Sequence, residues 1–146
     1  MIVAYIDGGA RGNPGPAGYG VRVESPDGDV LAEFHEAIGV ATNNVAEYRG
    51  LLAALGYADA QGHRHVAIRS DSLLLVRQMR GEFRVKHPGL IPLHAEALRL
   101  ARRLDAVTYE HVGRGANRHA DRLANQAMDG EGPEPSARSS RPRRKR

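Results

Sequence analysis

The sequence predicts an α/β fold, a five-stranded mixed sheet with helices on both faces. Three observations carry the prediction. Segments that alternate apolar and polar residues, as strands do, are interleaved with segments whose apolar residues recur at helical spacing. Their order (strand, strand, strand, helix, strand, helix, helix, strand, helix) suits a sheet covered by helices. A chain of 146 residues, 41% of them hydrophobic, is long enough for one cored domain and short for two.

Residues 2–7 (IVAYID) set Ile2, Ala4 and Ile6 against Val3, Tyr5 and Asp7, a strand that ends on a carboxylate. A Gly/Pro loop, GGARGNPGPAG, follows. YGVRVES and VLAEFHEAI then read as an antiparallel hairpin, because Pro26-Asp27-Gly28-Asp29 between them has the residues of a tight turn. Thr42, Asn43 and Asn44 supply helix-capping side chains, with Glu47 three residues after Asn44. Val45, Tyr48, Leu51, Leu52 and Leu55 keep helical spacing as far as Gly62. This first long helix therefore carries a glutamate in its opening turns.

Residues 65–70 (HVAIRS) form a strand running into Asp71, and SLLLVRQMR suggests a short helix stopped at Gly81. The stretch 92–104 (PLHAEALRLARRL) is amphipathic, and 107–112 (VTYEHV) alternates again. In 116–128 (ANRHADRLANQAM), Ala120, Leu123, Ala124 and Ala127 share one stripe, which leaves Asp121 near the first turn. The strand after the long helix can lie parallel to the first strand through a right-handed crossover. Asp7 and Asp71 would then end neighbouring parallel strands, and the crevice outside such ends is where open α/β sheets bind ligands. Glu47, facing inward, would close the set.

Composition narrows the chemistry. Without cysteine there is neither a disulfide framework nor a thiolate metal site, so any metal must be held by oxygen or imidazole. The start, MIVAYIDGG, lacks the features of a secretory signal, and no run of 18 apolar residues exists; a cytoplasmic protein without membrane contact is expected. The net charge of +4 belongs to the end of the chain. Residues 131–146 hold six Lys/Arg and two Glu, which leaves fifteen basic and fifteen acidic residues in positions 1–130. We expect a folded domain over residues 1–129 and a basic tail over 130–146. Rich in Pro, Ser and Arg, that tail lacks the apolar surface to offset its ordering entropy and is expected to be disordered. It is either a solvated end or linker, or a non-specific anchor for phosphates.

Five segments together carry a specific likeness. They are Tyr5-Ile6-Asp7-Gly8-Gly9, the loop from Gly12 to Gly20, Thr42-Asn43-Asn44-Val45-Ala46-Glu47, Ser70-Asp71-Ser72, and Asn117-Arg118-His119-Ala120-Asp121 with the Arg122-Leu123-Ala124 that follows. In this order and spacing, from about residue 2 to about residue 129, the chain resembles the type 1 ribonuclease H family. The resemblance implies a ribonuclease H-like fold and hydrolysis of the RNA strand of RNA/DNA hybrids. It implies that Asp7, Glu47, Asp71 and Asp121 are the catalytic, metal-binding carboxylates for two Mg²⁺ or Mn²⁺ ions. Four converging carboxylates would raise one another's pKa unless cations neutralise them, and hard oxygen ligands suit those ions.

By the same resemblance, Asp7 bridges both ions, Asp121 completes the nucleophile-side site, and Glu47 and Asp71 hold the leaving-group ion. The products are a 5′-phosphate and a 3′-hydroxyl. Glu47 is also expected to sense the 2′-hydroxyl that distinguishes RNA. Asn13, Thr42, Asn43 and Asn44 match positions that contact the hybrid, Thr42 near a DNA phosphate, and Gly8 and Asn117 are counted with them; for Asn44 helix capping is the alternative. Double-stranded RNA is a second candidate substrate, and a monomer is expected.

Two departures from the family pattern stand out. Many members carry a basic, tryptophan-bearing arm, whereas this chain has no Trp and only Arg80, Arg84, Lys86 and His87 where the arm would fall. Many also place a histidine in a loop before the last Asp motif. Here that loop is the shortened Gly113-Arg114-Gly115-Ala116, where Arg114 either faces the scissile phosphate or is simply exposed. His111 and His119 read as structural. In some bacterial members the domain precedes a phosphatase domain, which would make the tail a linker. The competing readings are a hybrid-binding module without catalysis and another nuclease of the same broader fold, such as an integrase or a Holliday-junction resolvase.

Overall fold

The expected elements form in the expected order, but the first strand does not stop at Asp7. The computed structural model describes residues 1–130. In it β1 spans Ile2–Ala10, β2 Gly15–Glu24 and β3 Val30–Ala41, followed by α1 over Asn43–Ala60. Then come β4 (His65–Ser70), α2 (Leu73–Met79), α3 (Ile91–Ala101), β5 (Ala106–His111) and α4 (Arg118–Met128). The tail expected over 130–146 lies, after Gly130, outside the described residues. No helix among the described residues is long and apolar enough to cross a membrane.

The five strands lie in the order β3-β2-β1-β4-β5. Pairing is antiparallel from β3 to β1 and parallel from β1 to β5, as the helical crossover through α1 requires. Strand alternation then assigns two faces. Ile2, Ala4, Ile6, Tyr19, Val21 and Val23 join Tyr48, Leu51 and Leu55 of α1 in one core. Within it the Tyr48 hydroxyl donates to Gln78 Oε1 at 2.7 Å, so that neither buried polar group is left without a partner. Gly18 and Gly20, of opposite parity, meet α4 on the other face.

That contact corrects the reading of residues 8–18 as a loop. Only residues 11–14 turn; Gly8, Gly9 and Ala10 continue β1 and pair with Tyr19, Gly18 and Ala17. Gly18, at the end of that expected loop, serves close packing instead, as does Gly20 in the strand that follows. A Cβ on Gly20 would stand 2.5 Å from Leu123 Cβ and 2.6 Å from the Ala120 carbonyl oxygen, so no larger residue fits beneath α4. Asp7 accordingly sits within a long strand, one residue past the Ile6–Ser70 pair where the parallel ladder to β4 ends.

At the start of α1, Thr42 is the N-cap, its hydroxyl accepting from Val45 N at 3.2 Å. Asn44 lies inside the helix and exposed, so the capping alternative does not apply to it.

Candidate active site

Three elements end or pass at one point of the sheet. β1 presents Asp7, the chain leaving β4 presents Asp71, and the second turn of α1 presents Glu47. One carboxylate oxygen from each lies within 4.8 Å of the other two. The parallel register brings the two aspartates together, and Gly8 admits the third group. A Cβ on Gly8 would stand 2.5 Å from both the Ala46 carbonyl oxygen and Glu47 N, so the α1 backbone rests directly on β1. Asp121, in the first turn of α4, stands outside this triad but hydrogen-bonds to the Asp7 carboxyl.

Crowding shows in the proton affinities. Asp7 is raised from 3.8 to about 8, first by burial, then by the charge of Asp71, the hydrogen bond and charge of Asp121, and the charge of Glu47. Glu47 is raised to about 7, again first by burial, with the charge of Asp71 adding to it; a hydrogen bond with Ser72 opposes the rise. Ser72 was missed as a site residue, although it belongs to the Ser70-Asp71-Ser72 motif. Its hydroxyl accepts from Leu75 N at 3.2 Å, capping α2, and touches Glu47 as well.

All four acids line an open cleft of about 510 Å³, together with Gly8, Asn43, Asn44, Ser72 and Arg114. Leu73 and Leu74, 45% and 38% exposed, form an unanticipated apolar stretch of its wall. No histidine lines it among the described residues. Arg114 is exposed there, with no hydrogen bond or ion pair to its guanidinium among the described residues. A second cleft of about 450 Å³, bounded by Phe83, Ile91 and Leu98, shares no lining residue with the first.

The other expected contact residues fall into two groups. Asn13, in the turn after β1, accepts through Oδ1 from Asn43 N at 3.0 Å, and Asn43 Oδ1 accepts from Ala10 N at 2.7 Å. Both side-chain oxygens are thereby engaged internally, and Nδ2, a donor, is what each amide still offers. Thr42 is occupied as a cap. Asn117 is different, and its expected substrate contact is corrected: the residue is fully buried, and its Nδ2 donates to the Ile6 carbonyl at 2.9 Å. Where the tryptophan-bearing arm was missed in the sequence, residues 81–90 form only a short connection between α2 and α3. Arg80 there donates to the Tyr109 carbonyl at 2.9 Å.

Known proteins bear on this arrangement. A reverse transcriptase-like family model matches residues 5–127. The bifunctional protein Rv2228c of Mycobacterium tuberculosis is 54% identical over 129 residues, which are 88% of this chain and 35% of that protein. The chain thus spans about a third of the length of the mycobacterial relatives it matches. The solved N-terminal RNase H domain of Rv2228c, fused to maltose-binding protein, superposes with a TM-score of 0.85 over 88% of this chain and 98% of that one. Ribonuclease HI of Halobacterium salinarum is 43% identical, over 88% of this chain and 64% of its own length. LC11-RNase H1, solved in complex with an RNA/DNA hybrid, is 41% identical with a TM-score of 0.85, covering 89% of this chain and 98% of that one.

Proposed function

Because the chain belongs to the ribonuclease H family, we propose that it hydrolyses the RNA strand of RNA/DNA hybrids with the help of two divalent cations. The observation that carries the reading is the triad of Asp7, Glu47 and Asp71 within 4.8 Å, with Asp121 hydrogen-bonded to Asp7. The donor set fits Mg²⁺ or Mn²⁺: it is all carboxylate, with neither thiolate nor imidazole, and its proton affinity, raised first by burial and then by neighbouring negative charge, is what a bound cation would offset. When bound, such ions supply an activated water and stabilise the departing oxygen.

The chain's residues then divide the work. Asp7, central to the cluster, would hold both cations; Asp121 would complete the site of the one that activates water, and Glu47 and Asp71 the site of the one that stabilises the departing 3′-oxygen. The products carry a 5′-phosphate and a 3′-hydroxyl. Glu47 also meets the 2′-hydroxyl, which excludes DNA as the cut strand. The Nδ2 donors of Asn13 and Asn43 suit acceptors in the hybrid's minor groove, as does the exposed Asn44. Arg114 offers an unengaged guanidinium to the scissile phosphate. The hybrid complex of LC11-RNase H1 supports the substrate assignment.

The test is cleavage of an end-labelled RNA/DNA hybrid, beside duplex DNA, single-stranded RNA and double-stranded RNA, with Mg²⁺, Mn²⁺ or EDTA. Metal-dependent cutting of the hybrid's RNA strand, abolished in Asp7→Asn, is expected; cutting of double-stranded RNA as well would widen the substrate class. Binding without cutting under every metal would leave a hybrid-binding module in place of the enzyme.

A further inference from the structure

Asn117 stands at the N-cap of α4 and does not cap it. An asparagine there ordinarily turns its side-chain oxygen back onto the first-turn N–H groups of its own helix. Here α4 begins without a side-chain cap. The fully buried side chain points across the molecule instead, where Nδ2 donates to the carbonyl of Ile6, 111 residues away, and Oδ1 finds no partner among the described residues. A carbonyl can only accept, so the amide's orientation is fixed by this bond. At φ −102°, ψ 15° the backbone of Asn117 lies outside the extended region a capping residue adopts, and the core takes in an amide oxygen with no partner among the described residues along with this one hydrogen bond. Local rules broken in this way point to a function for the group that breaks them.

What the bond joins is specific. Its acceptor belongs to the residue before Asp7, at the last rung of the ladder between β1 and β4. Its donor opens the helix whose first turn carries Asp121, four residues on. Packing of Ala120, Leu123 and Ala124 over Gly20 sets how close α4 lies to the sheet. Apolar contact has no direction, however, and leaves open where the first turn stands along β1. Exposed polar contacts tie α4 to β3 through Arg122 and Glu33 and, farther along, to the turn after β1 through Arg11 with Asn125 and Asp129; the bond from Asn117 to Ile6 is the buried, directional tie beside Asp7.

We propose that Asn117 is a positioning residue: its hydrogen bond to Ile6 sets Asp121 against Asp7 and thereby shapes the cation site the two carboxylates share. The inference rests on the two-cation reading above. Neither the buried amide nor the Ile6 carbonyl touches substrate, so the effect reaches the reaction only through Asp7 and Asp121.

Two variants of the full chain separate positioning from stability. Asn117→Ser removes the link to Ile6 while keeping a small polar side chain, and Asn117→Ala removes the link and the polar group together. Thermal unfolding measures the structural effect, Mn²⁺ titration followed by electron paramagnetic resonance counts bound ions, and steady-state hybrid cleavage gives kcat and KM. Groups that hold metal ligands in place are typically worth about 10–100-fold in metal affinity or activity. Both variants should unfold at a somewhat lower temperature, because the buried Ile6 carbonyl loses this donor, but Asn117→Ser, assayed where it is fully folded, should lose about 10–100-fold in affinity for one of two Mn²⁺ ions and a similar factor in kcat, with KM changed less than about twofold. Wild-type Mn²⁺ binding and kcat in Asn117→Ser would overturn the inference. So would losses in the two variants that simply follow their loss of thermal stability. A wild-type chain that binds no Mn²⁺ and cuts no hybrid would overturn the two-cation reading, and this inference with it.

Discussion

Replacing Asp7 with Asn should stabilise the metal-free protein while removing the centre of its site. Folded Asp7 keeps its proton up to about pH 8, whereas the unfolded chain releases it near the ordinary value of 3.8. Between those limits the folded state binds more protons than the unfolded one, so stability falls as pH rises through the window and levels off above it. Below it the carboxyl is neutral in both states and contributes nothing. At about 1.4 kcal/mol per pH unit, the destabilisation accumulated by pH 7 has a ceiling of roughly 4 kcal/mol. Water in the open cleft relieves part of it, leaving about 1–3 kcal/mol for a neutral, nearly isosteric Asn to recover. For a domain of this size that is a rise in Tm of roughly 3–10 °C. Thermal unfolding of both proteins in EDTA from pH 4 to pH 9 is the assay. Glu47 adds slope to both curves, so the diagnostic quantity is the gap between them: near zero at pH 4, largest at pH 8, and narrowed by millimolar Mg²⁺, which should stabilise the wild type selectively. An Asn variant no more stable than wild type at pH 8, or a gap that ignores pH, would refute the picture of mutually repelling buried carboxylates.

Three further outcomes follow from the same geometry. Gly8→Ala drives a Cβ into the backbone at Ala46 and Glu47, which no rotamer can relieve; unfolding should register a loss of about 1–3 kcal/mol. Hybrid cleavage should fall with it as Glu47 is pushed from Asp7, and wild-type kcat would show that α1 can move away without disturbing the triad. Arg114→Ala should lower kcat more than hybrid affinity, measured by steady-state cleavage and by binding in the Asp7→Asn background; an unaltered rate would return Arg114 to an ordinary exposed loop residue. Removing residues 131–146 should leave turnover nearly intact and flatten the salt dependence of hybrid binding, since each phosphate contact contributes about 0.9 to the logarithmic slope. An identical slope would exclude the tail as an anchor.

Much of this arrangement is legible in the sequence because its signals are local. β4 spans the segment read as a strand, and Asp71 follows it directly, since a strand's residue types and its end are written in consecutive residues. The parallel placement of Asp7 and Asp71 follows from handedness, which the chain cannot evade. What stayed hidden depends on partners distant in sequence. Gly18 reads as a loop residue, and only the presence of Ala127 overhead shows that it is a strand position stripped of its side chain; Leu123 likewise explains why the strand carries a glycine at position 20. Asn117 matched a motif beside Asp121 and was placed with the groups that touch substrate; nothing within several residues of it announces Ile6. Ser72 carries an ordinary capping signal that conceals its second contact, to Glu47.

The features least favourable to folding all converge on one end of β1. Asp7 and Glu47 are buried with raised proton affinity, α4 starts uncapped, and α1 lies so close that residue 8 tolerates no side chain. Scattered over the surface such defects would mean little; gathered within a few residues of Asp7 they have a common remedy. A cation bound at 100 times its dissociation constant stabilises the folded state by about 2.7 kcal/mol, comparable to the destabilisation worked out above for Asp7, which burial causes first and neighbouring charge second. On the two-cation reading, then, the metal-loaded protein is the state for which the sequence is self-consistent. The same carboxylates that make the empty site unstable make it bind, and Asn117 and Gly8 hold the ligands together against their own repulsion until the ions arrive.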